Sequence, residues 1–345
     1  MHDARVLVTG ACGFIGRHLV GRLLAHSASV HATYRGAPPE QLGVRSWRVD
    51  LSDAERTAEV VDRIRPDVII HLAGRAVGTR SLDLVMPMIG DNVLSAVNLM
   101  TAAEKIPGCR VVLAGSLEEH GDLGARPGGR SPYATSKVAA TAFAALFGDL
   151  SDLQVTVLRL GMVYGPCEPN RTRLMPYVVE SLLRGEAPRL SSGRRRIDWV
   201  YVDDVVDAVL AAAVAPTAYG RALDVGSGTS ISIRAMVALI VDEIGSGVVP
   251  AFGALPDRIG DLDLTADTEP ARRHLGWNAK TDLRTGIART VRSYAERCAE
   301  STTRSTSDSP LEHRTGVPSR IPTQGLYRAD RGTPAGASGL GQESS

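Results

Sequence analysis

The segment R-V-L-V-T-G-A-C-G-F-I-G, residues 5–16, decides the fold of this chain. Its first four residues suit a short buried strand, and Gly10, Gly13 and Gly16 follow at intervals of three residues. Glycines in such a turn permit a positive φ, a close approach of the backbone to a pyrophosphate, and close packing of a helix on the strand. The segment therefore predicts a strand, a phosphate-binding turn and a helix.

Outward from this segment, strand and helix patterns alternate, which is typical of a parallel sheet covered by helices. Strands are predicted at 30–33, 46–49, 68–71, 111–114 and 155–160, with helices at 54–64, 93–105 and 133–147. Further helices are predicted at 174–184, 205–213, 233–244 and 283–299. We therefore expect an α/β fold, a doubly wound parallel sheet followed by a smaller mixed α/β lobe.

The predicted boundaries follow from these patterns. Residues 1–165 form a dinucleotide-binding domain, to which some later segments return, and residues 166–299 form a substrate-binding lobe. Residues 300–345 are rich in Ser, Thr, Pro, Gly and Arg and lack periodic apolar positions, so they predict a disordered tail.

Composition limits the classes of function. The 345 residues carry a net charge of only +1, which gives no general attraction to nucleic acid or to an anionic membrane. No apolar run approaches the length of a membrane span and no signal peptide is visible, so we expect a cytoplasmic protein. The cysteines and histidines lack the spacing of a disulfide framework or metal site, so neither is expected.

The end of the second predicted strand bears on the cofactor. It reads Thr33, Tyr34, Arg35, Gly36, with no acid in reach for the ribose hydroxyls that an NAD site usually binds. The guanidinium of Arg35 can pair with a 2′-phosphate, which a carboxylate would repel. This pattern favours NADP over NAD, although one arginine is also compatible with a solvated loop.

Tyr133 and Lys137 lie four residues apart in the sequence Y-A-T-S-K, on one face of a predicted helix. The nearby ammonium is expected to lower the pKa of the tyrosine, which suits it to proton exchange with an alcohol. Ser116 follows a predicted strand at the edge where open parallel sheets bind ligands, so its hydroxyl can bond the same substrate oxygen.

With these motifs, the chain resembles the extended short-chain dehydrogenase/reductases of the nucleotide-sugar epimerase/dehydratase family, which have a Rossmann-type sheet. The resemblance covers residues from about 5 to 299. It also rests on H-L-A-G at 71–74, V-Y-G-P at 163–166, D-W-V-Y-V-D-D at 198–204, D-V-G-S-G at 224–228 and L-G-W at 275–277.

The resemblance implies roles for individual residues. Tyr133 is the acid/base, Lys137 its partner and Ser116 the hydroxyl that orients the substrate, a nucleoside diphosphate sugar. The implied cofactor-binding residues are Gly10, Gly13, Phe14, Ile15, Gly16, Arg35, Asp50, Leu51, Leu72, Ala73, Gly74, Asn92, Tyr133 and Lys137. A homodimer is also implied, since many relatives pair through the helix that carries the tyrosine.

Departures from the family pattern leave the reaction open. Glu118 stands where the 4,6-dehydratases need a base, but Leu117 cannot supply their acid. The run G-S-L-E-E-H-G is similar to one in reductases of 4-keto-6-deoxy sugars. We therefore expect a 4-ketoreductase or 4-epimerase, with a 4,6-dehydratase as the alternative and a non-catalytic dinucleotide-binding regulator as the reading from another class.

The substrate's diphosphate needs a cation, and the arginine usual just before Asp198 is replaced by Ile197. Arg196 is expected to bind the diphosphate from a shifted position, with Arg258 as a second clamp. A solvated basic loop is the alternative interpretation.

Overall fold

The computed structural model describes residues 2–38, 43–120, 131–258, 260 and 262–307. Residues up to 301 form one compact unit, and the last helix extends to Ser307. The rest of the predicted tail, 308–345, lies outside the described residues. So does 121–130, between the predicted catalytic serine and tyrosine.

The strands within the described residues are β1 (Arg5–Thr9), β2 (Ser29–Tyr34), β3 (Arg45–Arg48), β4 (Val68–His71), β5 (Arg110–Ser116), β6 (Gln154–Leu160), β7 (Met162–Tyr164), β8 (Arg189–Leu190), β9 (Arg196–Tyr201), β10 (Arg221–Val225), β11 (Ser230–Ser232) and β12 (Ala251–Phe252). The α-helices are α1 (Phe14–Ala25), α2 (Ala54–Ile64), α3 (Val85–Met88), α4 (Ser95–Glu104), α5 (Pro132–Leu150), α6 (Leu174–Leu183), α7 (Val202–Ala212), α8 (Ile233–Ile244), α9 (Glu269–Leu275) and α10 (Leu283–Ser307).

Seven parallel strands form the main sheet in the order β10-β6-β5-β4-β1-β2-β3. The sheet is buried on both faces because one core cluster contains side chains of α1 and α7, and the other contains side chains of α2, α4 and α5. The predicted Rossmann-type doubly wound sheet is confirmed. The order reverses between β1 and β4, and ligands of such sheets bind beyond the carboxyl ends of the strands at this point.

The smaller part has mixed strand pairing, as predicted. In its three-stranded sheet, β7 pairs parallel and β11 antiparallel to β9, while β8 and β12 form a separate parallel pair. Helices α6, α8 and α10 contribute to a third core cluster with these strands. Strand β10 belongs to the main sheet, so the chain returns to that sheet between β9 and β11, two strands of the smaller sheet.

One helical run is longer and more apolar than the sequence pattern indicated. Residues Leu82–Glu104 form 23 helical residues that are long and apolar enough to cross a membrane, so the expectation that no run approaches this length is wrong. The run is 39% buried over its most apolar window, and its inner side chains, Ala96, Leu99, Met100 and Ala103, belong to the core beneath the sheet. Packing in the core explains the apolar character of these inner side chains, whereas Leu82 and Met86 of the same run are exposed.

Candidate functional site

The local sequence at the start of α5 positions Tyr133. Ser131 is the N-cap of this helix, and its side chain accepts a hydrogen bond from the backbone N–H of Ala134 at 3.1 Å. Pro132 follows at the first helical position, where its missing N–H costs nothing. These two residues start the helix so that Tyr133 lies in its first turn and Lys137 one turn later.

Ser116, Tyr133 and Lys137 come together at the carboxyl end of β5. Ser116 is the last residue of this strand, and its side chain hydrogen-bonds that of Tyr133. Lys137 Nζ lies 6.0 Å from the centroid of the Tyr133 ring and donates a hydrogen bond to the carbonyl oxygen of Ala114 at 2.7 Å. Three groups suited to binding and protonating a substrate oxygen therefore share one site.

The expected electrostatic coupling of Lys137 to Tyr133 was wrong in direction for the tyrosine. Desolvation raises the pKa of Tyr133 to about 12, and the charge of Glu118 adds to the rise, although the hydrogen bond with Ser116 opposes it. Burial also lowers the pKa of Lys137 to about 8. Removal from water is the largest cause of both shifts, and Lys137 directs its ammonium at the carbonyl of Ala114.

The glycine turn has the geometry that a pyrophosphate requires. Gly10 has a φ of +69°, and a Cβ there would lie 2.7 Å from the backbone nitrogen of Ala73. Gly13 is the N-cap of α1 and Phe14 its first residue, with no side-chain cap and no acid in the first turn. The amides at the start of this helix therefore face no competing protein anion of their own element.

Packing between β1 and α1 accounts for the third glycine. A Cβ at Gly16 would collide with the carbonyl oxygen of Gly10, so only glycine lets the helix lie this close to the turn. Ile15 packs against the core cluster on this face. The predicted residues 10–16 thus form one turn at the end of β1, and their fit to a dinucleotide phosphate rests on this turn and the uncapped helix start.

The end of β4 carries another predicted group, Leu72, Ala73 and Gly74. Ala73 N–H donates to Thr9 Oγ1 at 3.1 Å, which joins this segment to the end of β1. A Cβ at Gly74 would lie 2.7 Å from Asn92 Oδ1 and 3.7 Å from Lys137 Nζ. These contacts place the segment between the glycine turn and Lys137.

Asn92 lies in a π-helical segment, Ile89–Leu94, between α3 and α4. Its side-chain amide donates to Ser136 Oγ at 2.8 Å and to Arg75 O at 3.1 Å, while its Oδ1 accepts from the Arg75 N–H at 2.7 Å. Such π-bulges are frequent at functional sites. The sequence predicted Asn92 as a site residue, but periodicity did not reveal the irregular helix that turns it inward.

Acids do reach Arg35, contrary to the expectation from the sequence next to it. Its guanidinium lies 2.6 Å from Asp91 Oδ1 and 3.9 Å from Asp50 Oδ2. Asp91, in turn, pairs with Arg75 at 2.8 Å. The two carboxylates come from the π-helical segment and from the loop after β3, where Leu51 is buried, so sequence proximity to Arg35 could not reveal them.

A cavity opens beside Ser116 and extends towards the smaller sheet. It is lined by Glu118 and by Arg196, the first residue of β9, among others. Glu118 is half-buried, and its backbone N–H donates to Ser116 Oγ at 3.2 Å. The structure therefore brings the predicted base and one predicted arginine to the same cavity as Ser116.

Arg258 is not among the described residues that line this cavity. It is exposed, and its guanidinium lies 3.4 Å from where a Cβ at Gly78 would be. Arg196 directs one guanidinium nitrogen to the carbonyl of Ser230. The two predicted clamp residues therefore do not line one cavity.

Two arginines near the site were not singled out from the sequence. Arg195 lines the same cavity as Glu118, and its Nε donates to Leu262 O at 3.2 Å. Arg173, the N-cap of α6, is close enough to Tyr133 for its charge to lower the pKa of the phenol. The run R-R-R at 194–196 did contain a signal, but the alternation of side chains in β9 was not visible without the strand boundary.

Comparison with known proteins gives a consistent result. The sequence model described as "NAD dependent epimerase/dehydratase family" matches residues 6–226. A UDP-glucose 4-epimerase of Mycolicibacterium smegmatis is 32% identical, with 84% of this chain and 98% of the relative covered. A dTDP-6-deoxy-L-talose 4-dehydrogenase (NAD(P)(+)) of Kitasatospora kifunensis is 31% identical, with coverage of 82% and 93%.

A solved structure extends the similarity to the fold. The UDP-glucose 4-epimerase of Thermus thermophilus, in complex with NAD, is 29% identical and superposes with a TM-score of 0.75. The match covers 84% of this chain and 98% of that one.

Proposed function

From the premise that this chain belongs to the NAD-dependent epimerase/dehydratase family, we propose that it oxidises and reduces carbon 4 of a nucleoside diphosphate sugar, as a 4-epimerase. The observation that carries the proposal is the convergence of Ser116, Tyr133 and Lys137 at the carboxyl end of β5, next to the glycine turn. The family assignment makes it an enzyme that acts on nucleotide sugars. Reaction at carbon 4 and epimerisation as the result are the parts that we propose.

The chemistry assigned to the chain is proton transfer. Tyr133 takes the proton from the 4-hydroxyl as the carbon–hydrogen bond breaks and returns it when the bond forms again, so charge does not accumulate on the sugar oxygen. Ser116 hydrogen-bonds the same oxygen, and Lys137 is proposed to hold the nicotinamide ribose. A bound nicotinamide dinucleotide supplies the acceptor and donor of the hydride, and the positive charge of its oxidised form favours the phenolate of Tyr133.

A 4-ketoreductase is the second candidate. The observation in its favour is the run G-S-L-E-E-H-G, whose similarity to reductases of 4-keto-6-deoxy sugars places Glu118 beside the catalytic serine. The dehydratase alternative is weaker because Leu117, which is 4% exposed, stands where an acid for water loss is needed. Glu118 lines the cavity, and we propose that it contacts the substrate there. It would act as a base only in a dehydratase.

Mass spectrometry with chromatographic separation of epimers tests these possibilities. The enzyme would be incubated with UDP- and dTDP-linked hexoses, and with their 4-keto-6-deoxy forms plus NADH or NADPH. An epimer of unchanged mass, absent with Tyr133→Phe, supports the 4-epimerase. A gain of two hydrogens on the keto sugar indicates the ketoreductase, and loss of water that depends on Glu118 indicates the dehydratase.

A regulator without catalysis predicts a different result from the same panel. It would bind a dinucleotide and turn over none of the sugars. That result, obtained with folded protein that binds NAD, would overturn the proposed activity.

We also propose NAD as the preferred dinucleotide, although the isolated Arg35 had favoured NADP. A 2′-phosphate would have to compete with Asp91 and Asp50 for this guanidinium, and two carboxylates within 4 Å of it repel a dianion. The Thermus thermophilus relative is in complex with NAD, which supports the same choice.

Dissociation constants for NAD and NADP, measured by calorimetry, check the dinucleotide preference. We expect the wild type to bind NAD more tightly and Arg35→Ala to change NADP affinity little. Asp91→Asn should strengthen NADP binding because it releases Arg35. Arg56→Ala, an exposed arginine paired with Glu59 on α2, is the control. Tight NADP binding that Arg35→Ala abolishes would contradict NAD preference and restore the reading from the sequence.

We propose that the arginines lining the cavity bind the diphosphate of the substrate. Arg196 keeps the role that the sequence suggested, with Arg195 beside it, because both line the cavity that contains Ser116. Arg258 is retained only as an outer contact, since it lies against the loop at Gly78. The panel of nucleotide sugars described above tests which nucleotide base and which sugar the enzyme accepts.

A homodimer and a cytoplasmic location complete the proposal. Support for the dimer comes from exposed apolar side chains on the helical run 82–104 and on α5, among them Leu82, Met86, Leu146 and Leu150. Support for the compartment comes from the four cysteines, none of which forms a disulfide within the described residues.

A further inference from the structure

Glu119 is a buried carboxylate that the proton transfer does not use. It is 5% exposed and lies directly behind Ser116. Its Oε1 accepts a hydrogen bond from the backbone N–H of Ser116 at 2.7 Å, and its Oε2 accepts one from Thr141 Oγ1 at 2.8 Å. Arg159 Nε lies 3.6 Å from Oε2. One side chain therefore contacts the end of β5, the helix of the catalytic residues, and β6.

Gly115 has no side chain, which leaves space for the carboxylate of Glu119. A Cβ at Gly115 would lie 2.5 Å from Glu119 Oε1 and 3.0 Å from Val157 Cγ1, so a larger residue would displace the carboxylate from the N–H of Ser116. Burial of a carboxylate is costly unless it is paired and hydrogen-bonded. Glu119 meets this condition through its hydrogen bonds with Ser116 and Thr141 and its ion pair with Arg159.

The charges around Glu119 include the catalytic lysine. Burial raises the pKa of Glu119, and its hydrogen bonds with Ser116 and Thr141, together with the charges of Arg159 and Lys137, oppose the rise. In the other direction, the charge of Glu119 raises the pKa of Lys137 against the effect of burial. Arg159 also pairs with Asp224 on β10 at 3.3 Å.

We propose that Glu119 is a positioning residue: it holds the backbone of Ser116 at a fixed distance from α5, so that the serine hydroxyl meets Tyr133, and it keeps a negative charge near Lys137. The kinetic part of this inference rests on the proposed function. The electrostatic part does not, because it concerns two side chains of the chain itself.

Kinetics of Glu119→Gln test the positioning. Glutamine keeps the shape, so the fold should be retained while the charge is lost. If its oxygen accepts from the Ser116 N–H, its amide nitrogen replaces Oε2 and faces the guanidinium of Arg159 and the hydroxyl of Thr141, two donors that it cannot accept from, so the side chain and the Ser116 backbone should shift. Misplacement of a catalytic group by about 1 Å can cost roughly 10²-fold, so we expect kcat to fall by about 10- to 100-fold with little change in KM. Thr141→Val removes one hydrogen bond without changing the charge and should lower kcat less.

Asp67→Asn is the matched control. Asp67 also accepts a hydrogen bond from a backbone N–H at a strand end, that of Arg5 at 2.8 Å, and pairs with the Arg5 side chain at 3.4 Å. It lies at the amino end of the sheet, away from the site. We expect its kcat, KM and pH profile to match the wild type.

The lysines permit a test that does not depend on activity. The chain has three, Lys105, Lys137 and Lys280, so the side-chain nitrogen of Lys137 can be assigned by NMR after lysine-specific labelling. We expect Glu119→Gln to move the titration of Lys137 to lower pH, and Asp67→Asn and Thr141→Val to leave it in place.

The outcomes separate the two proposals. A folded Glu119→Gln enzyme with wild-type kcat and an unmoved Lys137 titration would overturn the inference. If the wild type turns over no nucleotide sugar, the proposed function fails, and the lysine titration alone decides the role of Glu119. If Glu119→Gln does not fold, a fall in kcat at constant KM in Thr141→Val supports positioning, and unchanged kinetics refute it.

Discussion

At the scale of single residues, burial in the site favours the neutral forms of Tyr133 and Lys137. Lys137 is 9% exposed, and its pKa is lowered to about 8, while that of Tyr133 is raised to about 12. In both cases desolvation is the largest cause, and it disfavours the charged form. Tyr133 is therefore protonated at neutral pH and begins as a proton donor unless a further positive charge arrives.

The buried lysine makes stability depend on pH in a defined direction. Between about pH 8 and 10.5 the unfolded chain retains the proton that the folded chain has lost, so the free energy of unfolding rises with pH in this window. Lys137→Met has no such proton, so the wild type should gain up to about 3 kcal/mol relative to this variant across the window.

Urea unfolding of both proteins on either side of that window measures the difference. Other titrating groups are common to both proteins and cancel in the comparison. A difference in unfolding free energy that stays constant with pH would mean that Lys137 has an ordinary pKa in the folded protein.

At the scale of elements, the start of α5 links the stability of this helix to the position of Tyr133. The cap by Ser131 satisfies one amide at the helix start and orients the turn that carries Tyr133. Glu119 reaches the same helix one turn beyond Lys137, through Thr141. The part of α5 that carries Tyr133 and Lys137 is therefore held by Ser131 before it and by Glu119 after it.

Loss of this cap should affect activity as well as stability. Ser131→Ala is expected to cost about 1 kcal/mol and to lower kcat because the first turn of α5 frays. Ser232→Ala is the matched control, since Ser232 caps α8 through the N–H of Ala235 at the same 3.1 Å. Thermal unfolding should show similar losses for both variants, whereas only Ser131→Ala should lose activity. Equal activities of Ser131→Ala and Ser232→Ala would show that the cap of α5 does not affect the site.

At the scale of the whole molecule, apolar side chains are exposed on the helical run 82–104, which ends in α4, and on α5, both on one face of the main sheet. Leu82 is 89% and Leu150 77% exposed, and Met86, Phe143 and Leu146 add to this surface, which we call the α4–α5 face. The inner sides of the same helices pack in the core. A second copy of the chain is the proposed partner of this face.

Charge on the α4–α5 face should dissociate the proposed dimer. We expect the double variant Phe143→Glu, Leu146→Glu to sediment as a monomer in analytical ultracentrifugation, because a carboxylate cannot be buried there without a partner. Val249→Glu, at a position that is 81% exposed outside these helices, should sediment like the wild type. A wild type that is already monomeric would refute the dimer, and a double variant that remains dimeric would refute this face.

Much of the fold could be predicted because its signals are local. The strands at β1, β2, β4, β5 and β6 are continuous apolar or β-branched runs, and helices α2 and α8 match the predicted bounds, since their periodicity and caps lie in adjacent residues. The smaller sheet was missed in detail because β7, β8, β11 and β12 are only two or three residues long. Such strands are stabilised by their partners and leave no period to read.

The sequence by itself determined the family, and it predicted the dinucleotide turn and the site residues Ser116, Tyr133 and Lys137, because each of these depends on residue types at short, fixed spacings. Only the tertiary structure revealed that Asp91 and Asp50 compensate Arg35, that burial raises the pKa of Tyr133, and that Glu119 lies behind Ser116. Those properties depend on distances between groups on different elements and on their removal from water, which are properties of the folded chain and not of neighbours in the sequence.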